Sequence, residues 1–204
     1  MNKEDTVATF SEEELDNVQS SLSSFTYRGP NDGTDAISDF SPLLGAKMSR
    51  TETVSPPKPS VSALDVAEYI LRKTGPISTM KLQKLVYYCQ AWSLVWDEAP
   101  LFHENIEAWT NGPVIRELFN YHRGMFDIAR IMTGNPELLS DVQTATIDAV
   151  LDFYGGKSAQ YLIELSHSEE PWQEARRGFS ESDRGSRAIS LESMANYYSS
   201  LTED

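Results

Sequence analysis

Between Ser78 and Trp96 the apolar residues Leu82, Leu85, Val86, Cys89 and Trp96 recur at offsets of 3, 4, 7 and 14 from the first. That spacing lays them along one stripe of an α-helix and argues against a strand, in which apolar positions alternate. Ser78 is placed to cap the helix, its hydroxyl accepting from a free N–H of the first turn, and Pro100 stops any continuation. Lys81, Lys84 and Tyr88 follow the same period on another edge. The pattern therefore predicts a helix with an apolar stripe for the core and a cationic, aromatic edge available to a partner. For a lone helix, two such lysines are ordinarily just a solvated face.

The same reading predicts helices on either side. Ser62 with Asp65 three residues on opens one that ends at Gly75-Pro76. Leu101-Phe102 and Ile106 to Thr110 are β-prone runs around His103-Glu104-Asn105, which predicts a small hairpin between them. Pro113 suits the first position of a helix running to about Tyr121. Asn135-Pro136-Glu137 starts a helix through Val142 and Val150 that ends before Gly155-Gly156. Further helices are expected from Ser158 to His167, as a short turn from Pro171, and from Ile189-Ser190-Leu191 to Leu201. The expected fold is mainly α: a single compact helical domain, residues 61–204, with a small β-hairpin.

Residues 1–60 lack this periodicity. A serine-rich stretch at 20–24, turn-forming residues at 29–33 and the Ser-Pro-Pro-Lys-Pro-Ser run at 55–60 predict a largely disordered extension ending in an extended linker. Within it, Ser11 and Glu14 have capping-box spacing, and Phe10 and Leu15 could form a hydrophobic staple. Leu15, Val18 and Leu22 continue one apolar edge. So short a helix is marginal alone and needs something to dock on, either a partner or the chain's own body.

The 204 residues carry a net charge of −14. The excess is spread, −5 up to residue 60 and −9 beyond it. An acidic chain is a poor nucleic-acid binder, because phosphate contacts need clustered Lys and Arg. Cys89 is the only cysteine, which excludes an intrachain disulfide and fits a reducing cytoplasm. Its place on the apolar stripe predicts an inert thiol. No apolar run approaches bilayer length, so a cytoplasmic location without a membrane partner is expected.

No GxGxxG, P-loop, CxxC or HExxH motif is present, and the three histidines, His103, His122 and His167, are far apart. No catalytic, cofactor-binding or metal site is expected. Against that silence stand five features: Lys81-Leu82-Gln83-Lys84-Leu85-Val86-Tyr87-Tyr88; Pro100-Leu101-Phe102; Ile106-Glu107-Ala108-Trp109; Gly112-Pro113-Val114; and Ser166-His167 with Pro171-Trp172. In this order and spacing, from about Ala63 to Arg176, the chain resembles the Panacea antitoxin domain, the family of SocA-like and GepA-like phage-associated proteins. Ser166 departs from the family's usual threonine but keeps the hydroxyl.

The resemblance implies a type II antitoxin that neutralises a protein toxin by direct binding, in a prophage or phage-defence setting. The toxin would be encoded next to it, often as a translation-blocking enzyme, and the resemblance leaves room for a homo-oligomer within the toxin–antitoxin complex. The alternative is a proteolytic adaptor that delivers a bound toxin to a protease. A hydrolase built around His167 ranks last. Lys81, Gln83, Lys84 and Tyr88 are the expected toxin contacts, joined by Phe10, Leu15, Val18 and Leu22 from the extension. Trp109 and Trp172 are expected to be buried, Gly112 and Pro113 to form a tight turn, and His167 to bond a backbone carbonyl or Glu107.

Overall fold

A computed structural model describes residues 60–180 and 183–202. Helix α1 (Ala63–Thr74) begins where Ser62 and Asp65 form a reciprocal capping box. Strand β1 (Ile77–Ser78) leads directly into α2 (Thr79–Trp96), with Ser78 as its cap. Then follow β2 (Ile106–Trp109), β3 (Gly112–Ile115), α3 (Arg116–His122) and β4 (Asp127–Ile128). A 3-10 turn, Pro136–Leu138, precedes α4 (Asp141–Tyr154), α5 (Ala159–Ser168), α6 (Glu170–Arg176) and α7 (Leu191–Ser200). The fold is mainly α, as expected, with two small antiparallel sheets, β1–β4 and β2–β3.

Three predicted elements are corrected. The hairpin joins β2 to β3, pairing Ile106 with Ile115 and Trp109 with Gly112, and does not involve Leu101-Phe102. Pro113 therefore sits in a strand and the helix starts three residues later. The backbone amides of Leu101 and Phe102 instead donate to Gln90 Oε1 at 2.9 and 3.1 Å, so a side-chain amide takes the place of a strand partner. At Asn135 the cap and the proline make only the 3-10 turn; α4 starts at its own capping box, Ser140 with Gln143.

The two-faced reading of α2 also fails, for a tertiary reason. The helix packs against α1, α4, α5, α7 and β3 and is enclosed by them. Residues 82 to 93 are all buried, so the apolar stripe and the polar edge alike face protein. Helix α2 is the axis of the domain. Its apolar side chains contribute about 1.5–3 kcal/mol each by leaving water. Its polar ones must find partners inside, because an unpaired buried polar group costs a comparable amount.

Two connections shape one end of the molecule. Ile77 pairs with Ile128 and Ser78 with Asp127, which fixes the loop after α3 against the start of α2. Buried Glu68 of α1 accepts from the Ile131 N–H at 2.6 Å and from Arg130 Nε at 3.0 Å, holding the chain that follows β4. The segment after α6 runs along the outer edge of β2, with Ala108 donating to the Arg187 carbonyl and Ile189 to that of Ile106.

Candidate functional site

The polar residues of α2 serve the hairpin from behind. Gln83 Oε1 accepts from the Ile115 N–H at 2.8 Å and its Nε2 donates to the Ile115 carbonyl at 3.3 Å, so the side chain extends the β3 ladder. The same Nε2 lies 2.9 Å from His122 Nε2, which must then be the unprotonated, accepting nitrogen. Burial lowers the His122 pKa, in keeping with a neutral ring. Lys84 Nζ donates to the carbonyls of Asn111 at 2.7 Å and Pro113 at 3.0 Å, on either side of Gly112. Lys84 is fully buried and, among the described residues, no carboxylate forms an ion pair with it. Burial pushes its ammonium down to about 7.

Tyr88 points to a different neighbourhood. Its ring stacks on Tyr154 at 4.1 Å and its hydroxyl lies 3.3 Å from Glu169 Oε1, whose other oxygen accepts from the Tyr198 hydroxyl at 2.6 Å. Burial raises the Glu169 carboxyl to about 8, although both tyrosine hydroxyls favour its ionised form. Lys81 is half-buried and donates to the Gly155 carbonyl at 2.7 Å, where α4 ends and a cation suits the helix dipole. The expected surface edge of Lys81, Lys84 and Tyr88 thus dissolves into three separate internal tasks, and Gln83 is also buried. Lys84 and Tyr88 are fully enclosed, and Gln83 reaches the surface only as part of the lining of a cleft. Phe10, Leu15, Val18 and Leu22 lie outside the described residues.

On the outer side of the hairpin, Arg116 clamps Glu107 through two hydrogen bonds of 2.7 and 2.6 Å, and the Trp109 indole N–H donates to the same carboxylate at 2.7 Å. Burial alone would raise the Glu107 pKa, but Arg116 and Trp109 outweigh it and hold it low. The Trp172 indole donates to the Trp109 carbonyl at 3.0 Å. His167 stacks on Trp172 at 4.2 Å and bonds neither Glu107 nor a carbonyl; its Nε2 is buried without a hydrogen-bond partner among the described residues. Burial, with the nearby charges of Lys84 and Arg176, lowers its pKa to about 4. Ser166 donates to the Ile163 carbonyl, three residues back within α5. Trp109 and Trp172 are half-buried, and Pro171 is buried at the start of α6.

In front of this framework is a cleft of about 320 Å³. Met80, Trp109, Val114, Phe119 and Met125 form its walls, Gln83 and His122 lie among its lining groups, and Arg184 closes one side. The Arg184 guanidinium sits 4.9 Å from the Trp109 ring centroid, a cation–π distance. The lip is apolar and exposed: Met125 is 51% and Phe126 81% accessible. It is nevertheless anchored, since the Thr79 N–H donates to the Phe126 carbonyl and the Thr79 hydroxyl to that of Met125. Apolar walls, convergent polar groups and an exposed apolar lip make this cleft the candidate site of the molecule. Gln83 and Lys84 shape it from behind, through β3 and the hairpin turn. Sequence reasoning missed Met80, Phe119, Met125, Phe126 and Arg184, which belong to no motif and converge only in the fold.

Among the described residues no cluster of three His, Cys, Asp or Glu side chains could hold a metal ion, and no helix is long and apolar enough to cross a membrane. Cys89 is buried, which raises its thiol pKa.

The family model described as "Antitoxin SocA-like, Panacea domain" matches residues 82–173, from the start of α2 into α6. The protein "Antitoxin SocA" of Caulobacter vibrioides (strain NA1000 / CB15N) is 33% identical over 137 residues, covering 58% of this chain and 72% of that protein. No solved structure matches significantly. The matched stretch contains the α2 staples, the hairpin they hold and most of the cleft, and on this footing the chain belongs to the SocA-like Panacea-domain antitoxin family.

Proposed function

We infer that this protein is the antitoxin of a type II toxin–antitoxin pair, a non-enzymatic regulator that neutralises a protein toxin by direct contact. The observation that carries this reading is the cleft, an apolar, anchored docking surface built largely from residues inside the family match. The toxin inserts an apolar element between Trp109, Phe119 and Met125, and the exposed Phe126 extends the contact. Gln83 and Lys84 act indirectly, as positioning residues that hold β3 and the hairpin turn.

The test is co-expression with the product of the adjacent gene. Growth should be arrested by the neighbour alone and restored by this chain, and paired Met125→Asp and Phe126→Asp substitutions should abolish rescue while leaving the fold intact. A harmless neighbour, or rescue unaffected by the lip substitutions, would remove the reading. Toxin half-life separates inhibition from proteolytic delivery: a plain inhibitor leaves it unchanged or longer, whereas an adaptor shortens it in a protease-dependent way.

A further inference from the structure

The cleft combines an apolar interior with an arginine as the charged residue of its lining, in a chain whose overall charge is strongly negative. Arg184 borders it, and Arg123 follows α3 next to the lining residue Gly124. Neither guanidinium forms an ion pair among the described residues. Such a site fits an apolar segment with carboxylates beside its anchors. The chain supplies one: Phe10-Ser11-Glu12-Glu13-Glu14-Leu15-Asp16-Asn17-Val18 carries four acids within one short apolar edge. With helical periodicity, Glu12 lies three residues before Leu15 and Glu14 four before Val18, so carboxylates and anchors share a face.

Distance permits the contact. Thirty-seven residues separate Leu22 from Ser60. Even coiled, a chain of that length spans about 35 Å end to end. The body begins at α1, whose 12 residues run about 18 Å toward the start of α2, where Thr79 and Met80 line the cleft. A tethered segment also meets its site at an effective concentration that a free partner must exceed.

We propose that, in the absence of a partner, the cleft seats the protein's own segment Phe10–Leu22. Its Phe10, Leu15 and Val18 side chains enter between Trp109, Phe119 and Met125, and Glu12 to Asp16 face Arg184 and Arg123. An incoming partner must displace this segment, which makes it an intrinsic competitor for the docking surface. The proposal concerns the chain alone, so it stands or falls independently of the toxin reading.

Two measurements on the full-length protein test it. The first is hydrogen exchange at the cleft lip, residues 110–111 and 123–126. Replacing Phe10, Leu15 and Val18 together by Ser should speed exchange there by about tenfold, with the core amides of α2 unchanged. Arg184→Glu should do the same, and reversing Glu12, Glu13 and Glu14 to Lys in the Arg184→Glu background should restore protection. Unchanged exchange at the lip in the triple-serine protein overturns the proposal. The second is disulfide trapping between Val18→Cys and Met125→Cys, which buried Cys89 leaves undisturbed. An intramolecular cross-link in a monomer is expected. A cross-link that appears only between two copies identifies a second chain as the occupant and overturns the proposal, as does the absence of any cross-link.

Discussion

Lys84 Nζ occupies the space that a side chain on residue 112 would need. A Cβ built on Gly112 would lie 2.6 Å from that nitrogen and 2.9 Å from the Ser166 hydroxyl, and the backbone there has a φ of +93°. The glycine lets the hairpin turn close over the lysine, and the lysine in turn bonds the carbonyls of Asn111 and Pro113. A buried cation and a left-handed turn residue thus form one device that sets the position of β3.

Gly112→Ala should therefore cost more than a left-handed alanine alone, which is about 1–2 kcal/mol, because Lys84 must also move. We expect a loss of at least about 2 kcal/mol in denaturant unfolding. A cost below about 1 kcal/mol would mean that the turn has room to adjust.

Lys84→Met keeps the chain length but leaves the buried Pro113 carbonyl and the partly buried Asn111 carbonyl without their donor. The expected loss is about 1–3 kcal/mol, together with weaker toxin binding through a loosened hairpin. Toxin affinity at the wild-type value in a destabilised protein would show that the hairpin position does not govern binding.

Two buried groups act on stability in opposite directions as pH changes. Glu169 titrates near 8 in the folded state, against an ordinary 4.5. The folded protein then holds the extra proton, so its contribution to stability falls as pH rises from about 4.5 to 8. Lys84 titrates near 7, against an ordinary 10.5. The unfolded chain holds the extra proton, so stability rises with pH between about 7 and 10.5. The pair predicts a dip near pH 7–8 in their combined contribution. Denaturation across pH should lose the falling limb in Glu169→Gln and the rising limb in Lys84→Met; limbs that persist in both variants would assign the titration to other groups.

The cleft lip should be dispensable for folding. Met125→Asp with Phe126→Asp alters exposed side chains only and should change stability by no more than about 0.5 kcal/mol per site. Toxin binding should weaken at least about tenfold if the lip carries a hot spot, as read by titration calorimetry against the purified toxin.

His167→Phe should keep both fold and neutralisation. It preserves the stack on Trp172 and removes a buried nitrogen that lacks a partner, so a change within about 1 kcal/mol is expected. Loss of neutralisation in this folded variant would reveal a chemical role for the imidazole.

What the sequence by itself determined is local. Ser62, Ser78, Ser158 and Ser190 cap the predicted helices, because each cap satisfies N–H groups within three residues of itself. The stripe of Leu82, Leu85, Val86 and Cys89 was legible for the same reason: helical period follows from backbone geometry alone. The hairpin register was not, since Ile106 to Thr110 is β-prone whichever neighbour it pairs with. Nor was the fate of Lys84, whose two acceptors lie 27 and 29 residues further along the chain. A lysine at that helical position reads as solvated until α1, α4, α5, α7 and β3 enclose α2, and only then do its neighbours' polar groups become its partners. The cleft depended on tertiary structure most of all. Met80, Trp109, Phe119, Met125 and Arg184 come from separate elements, and none faces another until β1 pairs with β4 and the strap after α6 lies along β2.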